Sequence, residues 1–156
     1  MTEPVVPTAP PSASGPAISG RVPGWAAWTL RLIVTLHAVL IFLQPVLAGL
    51  FVTGNVGMLG LHSANAIFIT MIAFFQIIAS ILFWRPGRGA AWPIWASVLM
   101  FLVGQIQGGF GYARLLALHF PLGVLLFGFA VAMLVWAWSP GMRVAKSKSR
   151  RQSGEV

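Results

Sequence analysis

The amino-acid sequence predicts an all-α, polytopic membrane protein, a four-transmembrane-helix bundle made of two helical hairpins. Of its 156 residues, 58% are hydrophobic and only 8% are charged, whereas soluble domains carry about 25% charged residues. This is too little polar material to cover a water-facing surface, so lipid is the expected solvent. Four apolar runs are each close to the ~20 residues that a helix needs to cross a ~30 Å hydrocarbon core. Helices are predicted because an isolated spanning strand leaves its backbone groups unsatisfied.

The predicted organisation has three parts. A Pro/Ala/Ser-rich tail over 1–24 holds too little apolar surface to fold and is expected to be disordered. The transmembrane domain covers 25–139, and a basic cytoplasmic tail covers 140–156. The four helices are predicted at about 32–52, 61–84, 90–107 and 115–138, with short outer loops over 53–60 and 108–113.

Each helix carries features that orient it in the bundle. The first follows interfacial tryptophans and Arg31, and the fourth has Pro121 near its first turn, where a helix tolerates proline. The third contains Gly104 and Gly108, a small-residue pair that favours close contact with another helix. The second has polar and small side chains at helical spacing, which predicts a stripe that faces the interior: His62, Asn65, Ala66, Ile69, Ala73, Gln76 and Ser80.

The basic residues predict the orientation in the membrane. If the chain crosses four times, Arg114 lies on one side and the other nine basic residues lie on the opposite side: Arg21, Arg31, Arg85, Arg88, Arg143, Lys146, Lys148, Arg150 and Arg151. The positive-inside rule then places both termini in the cytoplasm, as expected for a multi-pass protein of the plasma membrane. The net charge of +8 is thereby explained by topology and lipid headgroups. No nucleic-acid partner is expected.

Composition excludes several kinds of chemistry. There is no cysteine, which excludes disulfides, thiol catalysis and thiolate metal ligands. The two acidic residues, Glu3 and Glu155, lie in the tails. The membrane domain therefore offers no carboxylate for proton relays, acid–base catalysis or Ca²⁺ and Mg²⁺ sites. The three histidines, His37, His62 and His119, remain as the groups that titrate near neutral pH.

A weak internal repeat pairs two of these histidines. In the first half, "QPVLAGLF" beginning at Gln44 is followed by a short loop and by "LHSANA", which contains His62. In the second half, "QIQGGFG" beginning at Gln105 is followed by a short loop and by "LHFPLG", which contains His119. Each half is a predicted hairpin, and repeats of this kind often place a site where the two halves meet.

This placement makes His62 and His119 candidate ligands. His62 lies at the outer edge of the second helix and His119 about one turn into the fourth, so the two are at similar depth near the outer face. Two facing imidazoles of a bundle are able to hold a metal or a haem iron from opposite sides. Ala66 and Gly123 each follow a histidine by one turn and leave room for a flat macrocycle. The alternative is a pair of interfacial histidines bonded to backbone or water.

The segments "LQPVLAGLFVTGNVGMLGLHSANA" and "GQIQGGFGYARLLALHFPLGVLLFG" resemble hairpins of the haem A synthase family, and other small bis-histidine b-type membrane cytochromes share the same physics. The resemblance covers roughly 36–138. That family has two four-helix halves, and in each half histidines on the second and fourth helices flank a haem near the outer face. The resemblance implies that His62 and His119 are the axial ligands of haem b.

The departures from the family shape the functional prediction. These 156 residues contain one such half and lack both the family's acidic residue in the first outer loop and its cysteine pair. The resemblance therefore implies haem binding for electron transfer or haem handling, without an assigned catalytic residue. The alternative is a non-catalytic accessory or scaffold subunit that holds no cofactor. Besides the lipid bilayer, the expected partners are a respiratory or envelope membrane complex or further copies of the chain.

Four other polar residues have two interpretations each. Arg114 precedes His119 by about one turn and is a candidate partner for a haem propionate, or an interfacial arginine that snorkels to the surface. His37 lies deeper and is either a hydrogen-bonded structural histidine or part of a second site, for example for a quinone. Gln44 and Gln105 are expected to bond between helices rather than to bind a substrate.

Overall fold

The computed structural model describes residues 21–143. This part of the chain folds into four α-helices and one short 3₁₀-helix, without a β-sheet. All four α-helices are long and apolar enough to cross a membrane, which confirms the all-α prediction and the number of spanning segments. Most of both predicted tails, including the basic run from Lys146 to Arg151, lies outside the described residues. The elements are α1 (Gly24–Val52), α2 (Met58–Trp84), α3 (Trp92–Tyr112), α4 (Leu116–Trp138) and the 3₁₀-helix (Pro140–Arg143).

The four helices pack in a ring, in which α1 contacts α2 and α4, and α3 contacts the same two helices. Large apolar side chains point outward along the whole bundle: Leu32, Val39, Leu102 and Val135 are 61%, 55%, 53% and 66% exposed. In water such a surface would be unstable, but in lipid it is the solvated face. Alanines such as Ala26 and Ala27 make up nearly half of the buried core and allow the helices to approach closely there.

Three helices extend beyond their predicted limits, α2 least of them, since it begins at Met58 instead of about 61. α1 begins at Gly24 instead of about 32, and α3 continues to Tyr112 through the glycines that were expected to form an outer loop. A helix satisfies its own backbone groups, so in an apolar environment a glycine-rich segment is more stable as helix than as open loop. The connection between α3 and α4 is therefore only 113–115, and Arg114 turns the chain there with a left-handed φ of 58°.

Arg31 was expected to precede the first helix, but it lies inside α1 and is only 6% exposed. Its Nε donates a hydrogen bond of 2.8 Å to the carbonyl oxygen of Ala137, near the C-terminus of α4. The last carbonyls of a helix lack intrahelical partners and carry partial negative charge, which explains why a guanidinium is stable there. The guanidinium carbon also lies 5.5 and 5.1 Å from the ring centroids of Trp28 and Trp138.

The two ends of the described chain meet at this same end of the bundle, which is called the tail end below. The backbone N–H of Val22 donates to the carbonyl oxygen of Arg143 at 3.2 Å. Val22 and Met142 are 4% and 2% exposed and belong to the hydrophobic core. The segments 21–23 and 140–143 were assigned to the tails, but they pack against the bundle because both carry an apolar residue to bury. The opposite end, with the connections α1–α2 and α3–α4, is called the loop end.

Candidate functional site

A cavity of about 790 Å³ lies between the four helices. This volume falls within the ~300–1,000 Å³ typical of sites for cofactors and small molecules. The lining comes from all four helices and is mostly apolar. All three histidines of the chain, His37, His62 and His119, belong to this lining.

His62 on α2 and His119 on α4 face one another across the cavity. Their ring centroids are 6.2 Å apart, and the ring planes are inclined by 58°. Two imidazoles that share one iron have their bound nitrogens ~4 Å apart, and the depth of the two rings brings the centroids to roughly 6 Å. The structure therefore brings the two predicted ligands together at a distance compatible with one shared iron.

The hydrogen bonds of this pair fix the tautomer of each ring. Nδ1 of His62 donates to the backbone carbonyl of Gln44 on α1 at 3.2 Å. Nδ1 of His119 donates to the backbone carbonyl of Gln107 on α3 at 2.9 Å. A carbonyl oxygen only accepts, so Nδ1 carries the proton in both rings and Nε2 carries a lone pair. A backbone carbonyl on Nδ1 is the usual second partner of a histidine whose Nε2 binds a metal.

Gln107 lies within the quoted repeat segment "QIQGGFG", but no role beside the histidine pair was assigned to it from the sequence. The repeat matched Gln44 with Gln105, whereas the structure shows that Gln107 is the equivalent residue, because its carbonyl accepts from His119. The side chain of Gln107 also donates to Nε2 of His119 at 3.3 Å. A ligand that binds this Nε2 must displace that amide.

The two other glutamines behave differently from one another. Nε2 of Gln105 donates to Oγ1 of Thr70 on α2 at 3.3 Å, which is the interhelical bond expected for it. Gln44 bonds to α2 only through its backbone carbonyl. Its side-chain Oε1 is buried and has no hydrogen-bond partner among the described residues. Buried polar atoms are normally satisfied, and this one belongs to a residue of the cavity lining, where a bound molecule would reach it.

Small residues keep the centre of the cavity open. No atom lies within 4 Å of a Cβ placed on Gly104 or Gly108, and both glycines line the cavity. Within the described bundle this pair makes no close helix contact, contrary to expectation, because it borders open space. Ala66 and Gly123 also line the cavity, as expected for residues beside a flat ligand. A Cβ on Gly123 would lie 3.3 Å from Nε2 of Gln107.

Two residues at the loop end contact the site or line it but were not predicted from the sequence. Gly111 packs directly on the imidazole of His119, since a Cβ there would lie 2.9 Å from its Cε1 and 3.0 Å from its Nδ1. Tyr112 lines the cavity and is 77% exposed, so the cavity reaches the surface near its hydroxyl-bearing ring. The sequence shows several glycines on α3, but the role of Gly111 depends on the imidazole of His119 on α4 packing against it, which the sequence does not show.

Arg114, which was a candidate site residue, lies outside the site. It is exposed in the turn between α3 and α4 and does not line the cavity. No lysine or arginine belongs to the lining, and within residues 21–143 no three potential metal ligands of the His, Cys, Asp or Glu type lie together. The pair of imidazoles is therefore too small a ligand set for a structural zinc site but sufficient as the axial ligands of a macrocyclic iron.

His37 lies at the end of the cavity that is nearer the tail end of the bundle, called the inner end of the cavity below, and is 2% exposed. Its Nδ1 bonds to Oε1 of Gln76 on α2 at 2.8 Å. Nε2 of Gln76 donates to Oγ of Ser97 on α3 at 3.1 Å, and that hydroxyl donates to the carbonyl of Pro93 at 2.7 Å. The structural interpretation of His37 as a hydrogen-bonded histidine thus has a named partner. The same bonds connect three helices.

The fold and the cavity define a class: a helical membrane protein whose four spanning segments enclose a histidine-lined cavity. No family model, curated protein or solved structure matches the chain. The resemblance to the haem A synthase family accordingly stays a prediction that depends on the two quoted segments.

Proposed function

We propose that the protein binds haem b in this cavity and acts in electron transfer or haem handling. The observation that carries the proposal is the arrangement of His62 and His119, which face each other at 6.2 Å with both Nδ1 atoms tied to backbone carbonyls. Carbonyls of α1 and α3 hold the rings, so the lone pairs on Nε2 are oriented before any ligand binds. Preorganised imidazoles of this kind lower the cost of binding a metal.

The lining supports a flat, largely apolar ligand. Gly104 and Gly108 leave free space on the cavity side of α3. Ala66 and Gly123 also line the cavity, and because their side chains are a methyl group and a hydrogen atom they occupy little of its volume. Bound haem would supply one-electron redox chemistry, and its ring would complete the coordination that two imidazoles leave open. The side chain of Gln107 must turn away from His119 when Nε2 takes a ligand.

The carboxylates of a haem are expected at the loop end. Because no lysine or arginine lines the cavity, these groups have no buried cation to pair with and must reach water. The cavity opens beside Tyr112, and the adjacent turn carries Arg114. We assign Arg114 the role of a propionate partner at the surface, outside the cavity itself.

The proposed location is the plasma membrane, with both termini in the cytoplasm. Supporting this orientation, the tail end of the bundle carries Arg21, Arg31, Arg85, Arg88 and Arg143, whereas Arg114 is the basic residue of the loop end. By the positive-inside rule the haem would then lie close to the outer surface. A haem at that depth would be accessible to a redox partner, which would be a respiratory or envelope complex or a second copy of the chain.

The test is an absorption spectrum of the full-length protein purified after expression with added haem. We expect a Soret band in the wild type and loss of more than ~10–100-fold in haem affinity in His62→Ala and in His119→Ala, since removing a ligand exceeds the effect of removing its second partner. Imidazole added to His62→Gly should restore the band by occupying the vacated position. The matched control is His37→Asn, which removes a histidine from the same cavity and should keep the band.

Two outcomes would overturn the proposal. One is a folded, helical protein that stays colourless when haem is supplied. The other is a Soret band that survives replacement of both histidines. A colourless protein that co-purifies stably with a larger membrane complex would support the accessory-subunit alternative instead.

A further inference from the structure

The hydrogen bonds around His37 determine which nitrogen of its ring is available. Ser97 donates its hydroxyl proton to the carbonyl of Pro93, so the oxygen of Ser97 is left to accept from Nε2 of Gln76. The amide of Gln76 is thereby oriented with Oε1 toward His37. An amide oxygen only accepts, so Nδ1 of His37 carries the proton and Nε2 carries a lone pair.

This lone pair has no protein partner within residues 21–143, since the hydrogen bond of the His37 ring uses Nδ1. The ring is a member of the cavity lining. Around it the lining is apolar, with Ile41 one turn along α1, Ala73 one turn before Gln76, and Met100, whose sulfur contacts Gln76 at 3.8 Å. An unpaired acceptor in such surroundings is costly, so a hydrogen-bond donor is expected to satisfy it.

His37 and the His62–His119 pair mark different depths of the same cavity. Gln44, which holds His62 through its carbonyl, follows His37 by seven residues on α1. At ~1.5 Å per residue the two levels are about 10 Å apart along the helix. An iron between His62 and His119 is therefore out of reach of His37, and the inner end of the cavity is a separate position.

The cavity also reaches the lipid-facing surface of the bundle. Ile67, Phe120 and Val124 line it and are 60%, 54% and 71% exposed. A molecule dissolved in the bilayer would enter between these side chains without crossing water. The combination of a lipid-accessible, largely apolar cavity and the acceptor of His37 at its inner end favours an apolar ligand with one polar end.

We infer that the inner end of the cavity is a binding site for a lipophilic molecule bearing a hydroxyl group, of the phenol or hydroquinone class, which donates a hydrogen bond to Nε2 of His37. Gln76 and Ser97 are positioning residues, because they hold the imidazole in the accepting tautomer. The site does not depend on haem, since none of these three residues touches the His62–His119 pair.

The experiment compares 2-naphthol with its methyl ether, 2-methoxynaphthalene, which has nearly the same shape but no donor. Binding to the full-length chain in lipid nanodiscs is measured by titration calorimetry, with empty nanodiscs subtracted. One hydrogen bond to a buried acceptor gives an expected preference of about tenfold for the naphthol. In His37→Asn the amide nitrogen can still donate to Gln76, but nothing replaces Nε2, so the preference should fall to within about twofold of unity.

Labelling the histidines with ¹⁵N gives a readout on the wild type that needs no substitution. The Nε2 resonance of His37 should shift on adding the naphthol and stay in place on adding the ether. Equal binding of the two compounds, binding of neither, or an unmoved resonance would each overturn the inference, the last two pointing to water as the occupant.

The experiments can refute the haem proposal and this inference independently of one another. His62→Ala should lose the Soret band and keep the naphthol preference, whereas His37→Asn should do the reverse. Loss of the Soret band in His37→Asn would show that His37 serves the haem, and it would end the assignment of a separate site. A colourless wild type that still discriminates the two compounds would leave this inference standing alone.

Discussion

Replacing Gly111 with alanine tests whether the orientation of His119 matters for the cavity. The new Cβ would lie 2.9 Å from Cε1 and 3.0 Å from Nδ1 of the imidazole, closer than carbon atoms in proteins approach one another. Relief to the 3.4 Å of ordinary van der Waals contact requires the ring to move by about 0.5 Å. His119 is partly exposed, so the ring can yield without disrupting the helices.

A shift of this size is large on the scale of metal ligation. Metal–nitrogen distances tolerate about 0.2 Å, so a ring displaced by about 0.5 Å binds iron poorly or turns away from it. The shift also strains the 2.9 Å bond from Nδ1 to the carbonyl of Gln107. We expect haem affinity to fall about tenfold or more, which corresponds to roughly 1.4 kcal/mol. Helix α3 itself should gain less than the ~0.5–1 kcal/mol of a mid-helix glycine-to-alanine change, because Gly111 lies in its last turn.

Haem titration followed at the Soret band measures the first effect, and loss of helical circular dichroism on heating measures the second. Gly128→Ala is the matched control, since Gly128 is also helical, has no atom within 4 Å of a Cβ, and does not line the cavity. It should be at least as stable as the wild type and bind haem unchanged. If Gly111→Ala binds haem as tightly as the wild type, the position of the His119 ring against Gly111 does not determine haem binding, and the reasoning is refuted.

Three further changes probe the bundle. Arg31→Lys keeps the charge but loses the Nε bond to Ala137 and the stacking on two tryptophans, so unfolding in denaturing detergent should be easier by about 1–3 kcal/mol. Asn65→Ala removes the 2.9 Å bond to the carbonyl of Leu40 and should cost about 0.6–1 kcal/mol in the same assay, since interhelical bonds in membranes are modest. Gly104→Leu should leave the helical circular dichroism unchanged but abolish haem uptake, because the side chain enters the cavity; normal uptake would exclude the cavity as the site.

Periodicity was sufficient to predict the interior face of α2. Of the seven residues assigned to that face from helical spacing, the structure buries four: Asn65, Ala73, Gln76 and Ser80. The other three, His62, Ala66 and Ile69, are half-buried and line the cavity. The prediction succeeded because the polar positions of one membrane helix must avoid lipid, which is a local constraint that a single segment records. The number of spanning helices followed for the same reason.

Other features depended on contacts between segments far apart in sequence. Arg31 has its partner carbonyl 106 residues away at Ala137, and a backbone acceptor leaves no mark on residue identity. The choice between Gln105 and Gln107 was also not decidable from the repeat. Two residues apart on a helix, they point in nearly opposite directions, so one reaches Thr70 and the other reaches His119.

The electrostatic character of the cavity narrows what it can bind. His37, His62 and His119 each donate Nδ1–H to an oxygen of Gln76, Gln44 or Gln107 and so turn a lone pair, rather than a proton, toward the interior.

No acid or cation accompanies them in the lining. The lone pair of His119 becomes available once the Gln107 amide turns away. Acceptors of this kind in a mostly apolar wall attract Lewis acids and hydrogen-bond donors, while a free anion finds no compensating charge and a hydrated cation finds too few oxygens to replace its water. In the proposed arrangement, haem iron and a ligand hydroxyl would satisfy these acceptors at two depths.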